Sequence, residues 1–157
     1  MTIDGVDCKE TGEYSTSAGS VTHFTQVDIR GGSNTIIHRN VYGGGSLGSV
    51  GPPPVSEGYA ISRKDDNPAL YGTQSQCLVN ISATIGTPTE YQKHYGGEVY
   101  GASRGSSTLD PAKYGSVVWT RVNILNGATI QGNVFGGGDA GMVKKDSEVI
   151  IGEKKTE

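Results

Sequence analysis

The sequence is short of the residues that build helices and of those that staple small folds. Five Leu and two Met among 157 residues are too few for the apolar seams of a helical bundle or a coiled coil. Two cysteines, Cys8 and Cys77, exclude a disulfide framework and a Cys-rich zinc site. Spacing leaves both a single long-loop bridge and two unpaired thiols open. No apolar run reaches the ~20 residues of a membrane-spanning helix. The formal charge is −3, with no basic block, which argues against nucleic acid as a partner. Only six prolines occur, three of them at Pro52–Pro54, and there is no G-X-Y period, so the chain is not collagen-like. Met1-Thr2-Ile3-Asp4-Gly5 lacks the basic and apolar regions of a signal peptide. The chain therefore reads either as cytoplasmic or as a piece of a longer exported protein.

Small and β-branched residues are plentiful. Gly contributes 25 residues, Ser 15, Thr 14, Val 14 and Ile 11. Val and Ile fit a pleated sheet, and Gly weakens helices while permitting sharp reversals. Charged residues make up 18%, too few for a chain kept unfolded by charge when Val and Ile are clustered.

Self-similarity organises this composition. Asn40-Val41-Tyr42-Gly43-Gly44-Gly45-Ser46-Leu47-Gly48-Ser49-Val50 recurs as Asn133-Val134-Phe135-Gly136-Gly137-Gly138-Asp139-Ala140-Gly141-Met142-Val143, identical at seven of eleven positions. Glu98-Val99-Tyr100-Gly101-Ala102-Ser103-Arg104-Gly105 is a weaker copy. Val27-Asp28-Ile29, Val79-Asn80-Ile81 and Val122-Asn123-Ile124 precede the three copies, each followed by a further apolar point at Ile36, Ile85 and Ile130. Val149-Ile150-Ile151 starts the pattern again, 27 residues after Val122. The longer intervals reduce to the same period once insertions near 51–75, 86–93 and 105–112 are set aside. Thr2-Ile3-Asp4-Gly5 is a candidate partial unit at the other end.

Repeats of 20 to 30 residues with short strands and Gly corners predict a β-solenoid. The fold expected is thus all-β, a parallel β-helix of about four coils in one domain over 1–157. A β-sandwich is the alternative. Val27, Ile29, Val41, Val79, Ile81, Val99, Val122, Ile124, Ile130 and Val134 should be buried in columns. At least one Gly in each of Gly43–Gly45 and Gly136–Gly138 should have positive φ. The segment Gly51–Ser75, with three prolines and a charged patch, should protrude and carry any recognition.

The N-V-Y/F-G-G-G-x-x-G-x-V pattern with its V-x-I strand resembles the glycine-rich repeats of large cell-surface and adhesion proteins of gut Bacteroidetes. The resemblance is strong over 27–50 and 120–152 and weak over 76–105. It implies a β-helical architecture and an extracellular or cell-surface location, and brings no catalytic residues with it. The function expected is a non-enzymatic stalk or adhesion module whose partner is a glycan or a surface protein. A carbohydrate-binding or polysaccharide-lyase-like β-helix is the alternative. Arg63-Lys64-Asp65-Asp66 supplies the residue types that a lyase uses.

Candidate sites follow from the repeat. Asp28, Asn80 and Asn123 sit between inward apolar residues and should form an outward ladder that fixes register; a polar ligand stripe is the alternative. Asn40 and Asn133 match one another in the same way. Tyr42, Tyr100 and Phe135 make an aromatic column, read either as corner packing or as a platform for sugar rings. Gly136-Gly137-Gly138-Asp139-Ala140-Gly141 carries too few carboxylates for calcium and lacks the Lys-Ser/Thr of a phosphate loop. His23, His38 and His94 share no motif. No catalytic residue, metal or cofactor is expected. A stack cut between coils exposes strand edges, so either end-to-end self-association or cover by residues 1–20 is expected.

Overall fold

A computed structural model of the chain describes residues 2–3, 6–7, 19–21, 24–51, 76–89, 96–112 and 114–152. Arg63–Asp66, His23, His94, Cys8 and nearly all of the 51–75 insertion lie outside the described residues. The fold is all-β with parallel sheets. Strands β1 (Thr2–Ile3) and β2 (Val6–Asp7) pair antiparallel; the rest of the partial unit expected at Thr2–Gly5, Asp4 and Gly5, lies outside the described residues. All other pairings among the described residues are parallel.

The V-x-I runs form the main sheet. It contains β3 (Thr25–Ile37), β5 (Gln76–Ile85), β8 (Trp119–Ile124) and β12 (Ser147–Ile151), in the spatial order β12-β8-β5-β3. Val27, Val79, Val122 and Val149 lie in register, as do Ile29, Ile81, Ile124 and Ile151. Alternation along each strand sends these residues to one face, where Val79, Ile81 and Val122 are fully buried.

The N-V-aromatic runs form a second sheet. Here β6 (Val99–Tyr100) lies between β4 (Val41–Tyr42) and β10 (Val134–Phe135), Val against Val and aromatic against aromatic. In a third sheet β7 (Ser116–Val117) pairs β11 (Met142–Val143), and parallel bridges continue the line from Val117 to Val50 and Val21. Between these sheets sits a core of Val41, Val79, Ile81, Ile85, Val99, Val122 and Ile124, with Val27, Ile29, Ile130 and Val134 packed against it. Val50, Cys77, Ala102 and Val117 form a second cluster.

Two details of the repeat differ from expectation. The second apolar column runs through Ile37, Ile85 and Ile130, the last on β9 (Thr129–Ile130). Ile36 instead pairs with Thr84 and is exposed. The cause is a bulged β3, whose register shifts twice between Ile29 and Ile36; an extra residue in one strand flips its neighbours to the other face.

The Gly corners work differently too. None of Gly43–Gly45 or Gly136–Gly138 is among the positive-φ glycines. Gly43, Gly44, Gly136 and Gly138 are small because a neighbouring repeat lies against them. A Cβ on Gly43 would strike the Gly101 carbonyl oxygen, one on Gly101 the Gly136 carbonyl, and one on Gly138 the Ser103 carbonyl. Positive φ occurs instead at the starts of all three insertions, Gly51, Gly86 and Gly105, and at other turns. Gly105 (φ 76) and Gly115 (φ 78) bound an excursion over 106–114, and an added Gly115 Cβ would stand 3.0 Å from Gly105 Cα. Gly105 itself bridges to Ala140, so the excursion begins one residue later than the sequence implied. The first insertion, 51–75, is described only at Gly51, and the second, 86–93, only over 86–89.

Candidate functional site

Side chains at matching positions of successive repeats meet one another, and the candidate site is built from these ladders. On the outward face of the main sheet, Asn123 Nδ2 donates to Asn80 Oδ1 at 2.7 Å and Asn80 Nδ2 donates to Asp28 Oδ1 at 2.7 Å. The chain of donors runs toward a carboxylate that can only accept. Gln26 Nε2 (2.9 Å) and Arg30 (3.3 Å) hold the other Asp28 oxygen. The Asn80 bond, aided by Gln26 and Arg30 and opposed by partial desolvation, lowers the Asp28 pKa. The fourth repeat has Ile150 at this place, which ends the ladder.

One position further along the outward face, Leu78 is followed by Arg121 and Glu148. The Arg121 and Glu148 side chains form an ion pair at 2.9 Å.

The aromatic column is a continuous stack. Tyr42 and Tyr100 have centroids 4.9 Å apart and planes within 3°, and Tyr100 and Phe135 follow at 5.0 Å and 14°. These separations match the ~4.8 Å between neighbouring strands, so backbone register sets the stack. Tyr100 is 7% exposed, Phe135 40%. Tyr100 Oη donates to Glu98 Oε2 at 2.6 Å. Burial first, then the neighbouring Glu98 carboxylate, pushes the Tyr100 phenol well above its ordinary value.

Asn40 Nδ2 donates to the Tyr42 hydroxyl at 3.3 Å, and its Oδ1 accepts from the Glu98 backbone N–H at 3.1 Å. Asn40 and Asn133 therefore make no continuous amide ladder. The repeat between them supplies Glu98, and the column is Asn, Glu, Asn.

Two further columns escaped the sequence reading. Thr25, Cys77, Thr120 and Ser147 lie in register, and Thr25 and Thr120 each donate a hydroxyl bond to the carbonyl of a corner glycine, Gly43 and Gly136, at 2.5 Å. Cys77 is a free, buried thiol whose pKa is pushed up to about 11, chiefly by burial. The other column is the triplet Gly19-Ser20-Val21, Gly48-Ser49-Val50, Gly115-Ser116-Val117 and Gly141-Met142-Val143, whose Val positions bridge in parallel. Its signal, G-S-V, is in the sequence, but the 106–114 excursion hides one copy. Ser103, fully buried, donates to the Gly48 carbonyl at 2.8 Å, tying the two repeats at this corner.

Other candidates are dispersed. Asp139 at the Gly136–Gly141 turn lies 4.0 Å from Arg104. Of the three histidines only His38 is described, and it is exposed. Among the described residues no group of three or more His, Cys, Asp or Glu side chains is placed to hold a metal ion.

No protein-family model, curated protein or solved structure matches the chain. Its chemistry therefore has to be read from these columns. They offer hydrogen-bonding and stacking groups repeated at strand spacing, arranged to hold one repeat on the next.

Proposed function

We propose that this chain is a β-solenoid module of about four coils, acting as a non-enzymatic stalk or adhesion segment of a bacterial cell-surface protein. The observation that supports this most is where the outward polar and aromatic side chains are directed. Asp28, Asn80 and Asn123 bond to one another, and Tyr42, Tyr100 and Phe135 stack on one another. Groups that would otherwise meet a ligand are engaged in register-keeping between coils. A scaffold so built transmits position along its axis while its loops vary.

A second reading rests on Phe135. It ends the described aromatic stack and is 40% exposed, which suits a sugar ring packing on an aromatic face. One experiment separates the two readings. The purified chain and its Phe135→Ala variant are passed over a glycan array, and intact cells carrying the native protein are labelled with an antibody against the chain. The stalk reading expects surface labelling and no saturable glycan binding. Saturable binding that the Phe135→Ala change abolishes would favour the glycan-binding reading, and absence of label on intact cells would contradict a surface location.

A further inference from the structure

Exposed large apolar side chains gather at the two ends of the stack. Among the described residues, Val21, Phe24 and Ile36 lie in or beside the first strands of its sheets, and Phe135, Val149 and Ile151 in the last ones; Leu125 lies in a turn, and none comes from the second repeat. The two ends differ. Val27 and Ile29 of β3 are half-buried, whereas Val149 is 39% and Ile151 75% exposed. Their counterparts one strand inward, Val122 and Ile124, are buried. β12 is the outermost strand of the main sheet, and among the described residues no strand pairs its outer edge. With Ile150 standing where earlier repeats have Asn, Val149-Ile150-Ile151 is apolar on both faces. Glu148, the nearest charge, is drawn back onto Arg121. An open edge of this composition recruits another strand.

We propose that β12 is a self-association edge at which two copies of this chain join about a two-fold axis through Ile150, their β12 strands antiparallel. This rests on the stacked-repeat reading and deepens it. In an antiparallel pair, residues directly opposite share a face. With Ile150 on the axis, Val149 meets Ile151 of the second copy, Ile150 meets Ile150, and Glu148 faces Gly152. Centring the pair on Val149 instead sets the Glu148 carboxylate against Ile150.

Head-to-tail stacking is worse. Placing β12 on β3 in the register of the other layers sets Ile150 beside the Asp28 carboxylate, which Asn80, Gln26 and Arg30 hold ionised, with Glu148 close to the same charge. The apolar edge thus complements itself better than it complements the opposite end, and an isologous contact closes as a dimer.

The test uses the full chain. Light scattering coupled to size exclusion over a concentration series should show monomer and dimer and nothing larger. Ile150→Lys should weaken the dimer by at least about tenfold with an unchanged far-ultraviolet spectrum. Ile150→Cys in a Cys8→Ser background should cross-link as a dimer on mild oxidation, while Ser147→Cys, away from the axis, should not. Should Ile150→Lys fail to fold, the cross-link decides alone. A monomer at every concentration, oligomers that keep growing, or a dimer indifferent to both Ile150 changes would overturn the proposal. A monomer whose amides still show contacts between Val79 and Val122 would sink this edge and leave the stacked repeats standing; loss of those contacts would sink both.

Discussion

Asn80 carries more of the register than any other polar side chain described. It donates to Asp28 and accepts from Asn123, so Asn80→Ala removes two bonds at once. Each contributes about 1 kcal/mol net, and the expected loss is about 1–2 kcal/mol in urea unfolding. Asn80→Asp should be worse at neutral pH, because it sets a second carboxylate against Asp28, and should regain stability as the solution is acidified.

Asp28 itself predicts an acid limb. Its folded pKa lies below the ordinary carboxylate value of 3.8, so the folded state binds its proton less readily than the unfolded chain. The stability this contributes is complete above the unfolded pKa, and it is lost as pH falls through the depressed folded value. Asp28→Asn retains an acceptor for Asn80 and should flatten that part of the pH–stability curve. An unchanged acid limb would show that the carboxylate is not coupled to folding.

Cys77 titrates in the opposite sense. Its folded pKa of about 11 means that folding disfavours the thiolate. In a Cys8→Ser background the native protein should resist a thiol reagent at neutral pH and react only on unfolding. Rapid native labelling would contradict its burial.

At the scale of elements, the corner glycines are set by contact between layers. Gly43→Ala should destabilise by about 1–3 kcal/mol or more, since the Gly101 backbone cannot withdraw. Gly137, with nothing within 4 Å of its would-be Cβ, should tolerate Ala within about 0.5 kcal/mol. Equal effects at both positions would refute close stacking as the reason for glycine. The core columns predict a similar contrast by depth. Ile81→Ala, at a fully buried position, should cost about 2–5 kcal/mol, and Ile151→Ala, at the exposed edge, far less.

These elements were legible from the sequence to different degrees. The V-x-I strands and N-V-aromatic strands could be read because apolar spacing within a strand is short and the repeats are in order. The bulge that substitutes Ile37 for Ile36 could not, since the extra residues of β3 look like any Gly-Ser turn. Gly corners suggested positive φ because local sequence encodes φ but not what the next layer brings close. Ser103 and the Thr25–Cys77–Thr120 column were invisible for the same reason: their partners lie 16 to 55 residues away in sequence. The aromatic column was evident, but its face-to-face stacking depends on register across three repeats.

In the molecule as a whole, successive repeats lie in parallel and in register so that like residues form columns. Three independent sets of positions express this arrangement, in the V-x-I, N-V-aromatic and G-S-V segments. Proton–proton contacts measured by nuclear magnetic resonance on the isotopically labelled full chain test it most directly. The backbone of Val79 should show contacts to both Val27 and Val122, the side-chain amide of Asn80 to that of Asn123, and the ring of Tyr100 to both Tyr42 and Phe135, with none between Val27 and Val122. Contacts of an antiparallel pattern among these strands, or a Val27–Val122 contact that leaves Val79 out, would contradict the account.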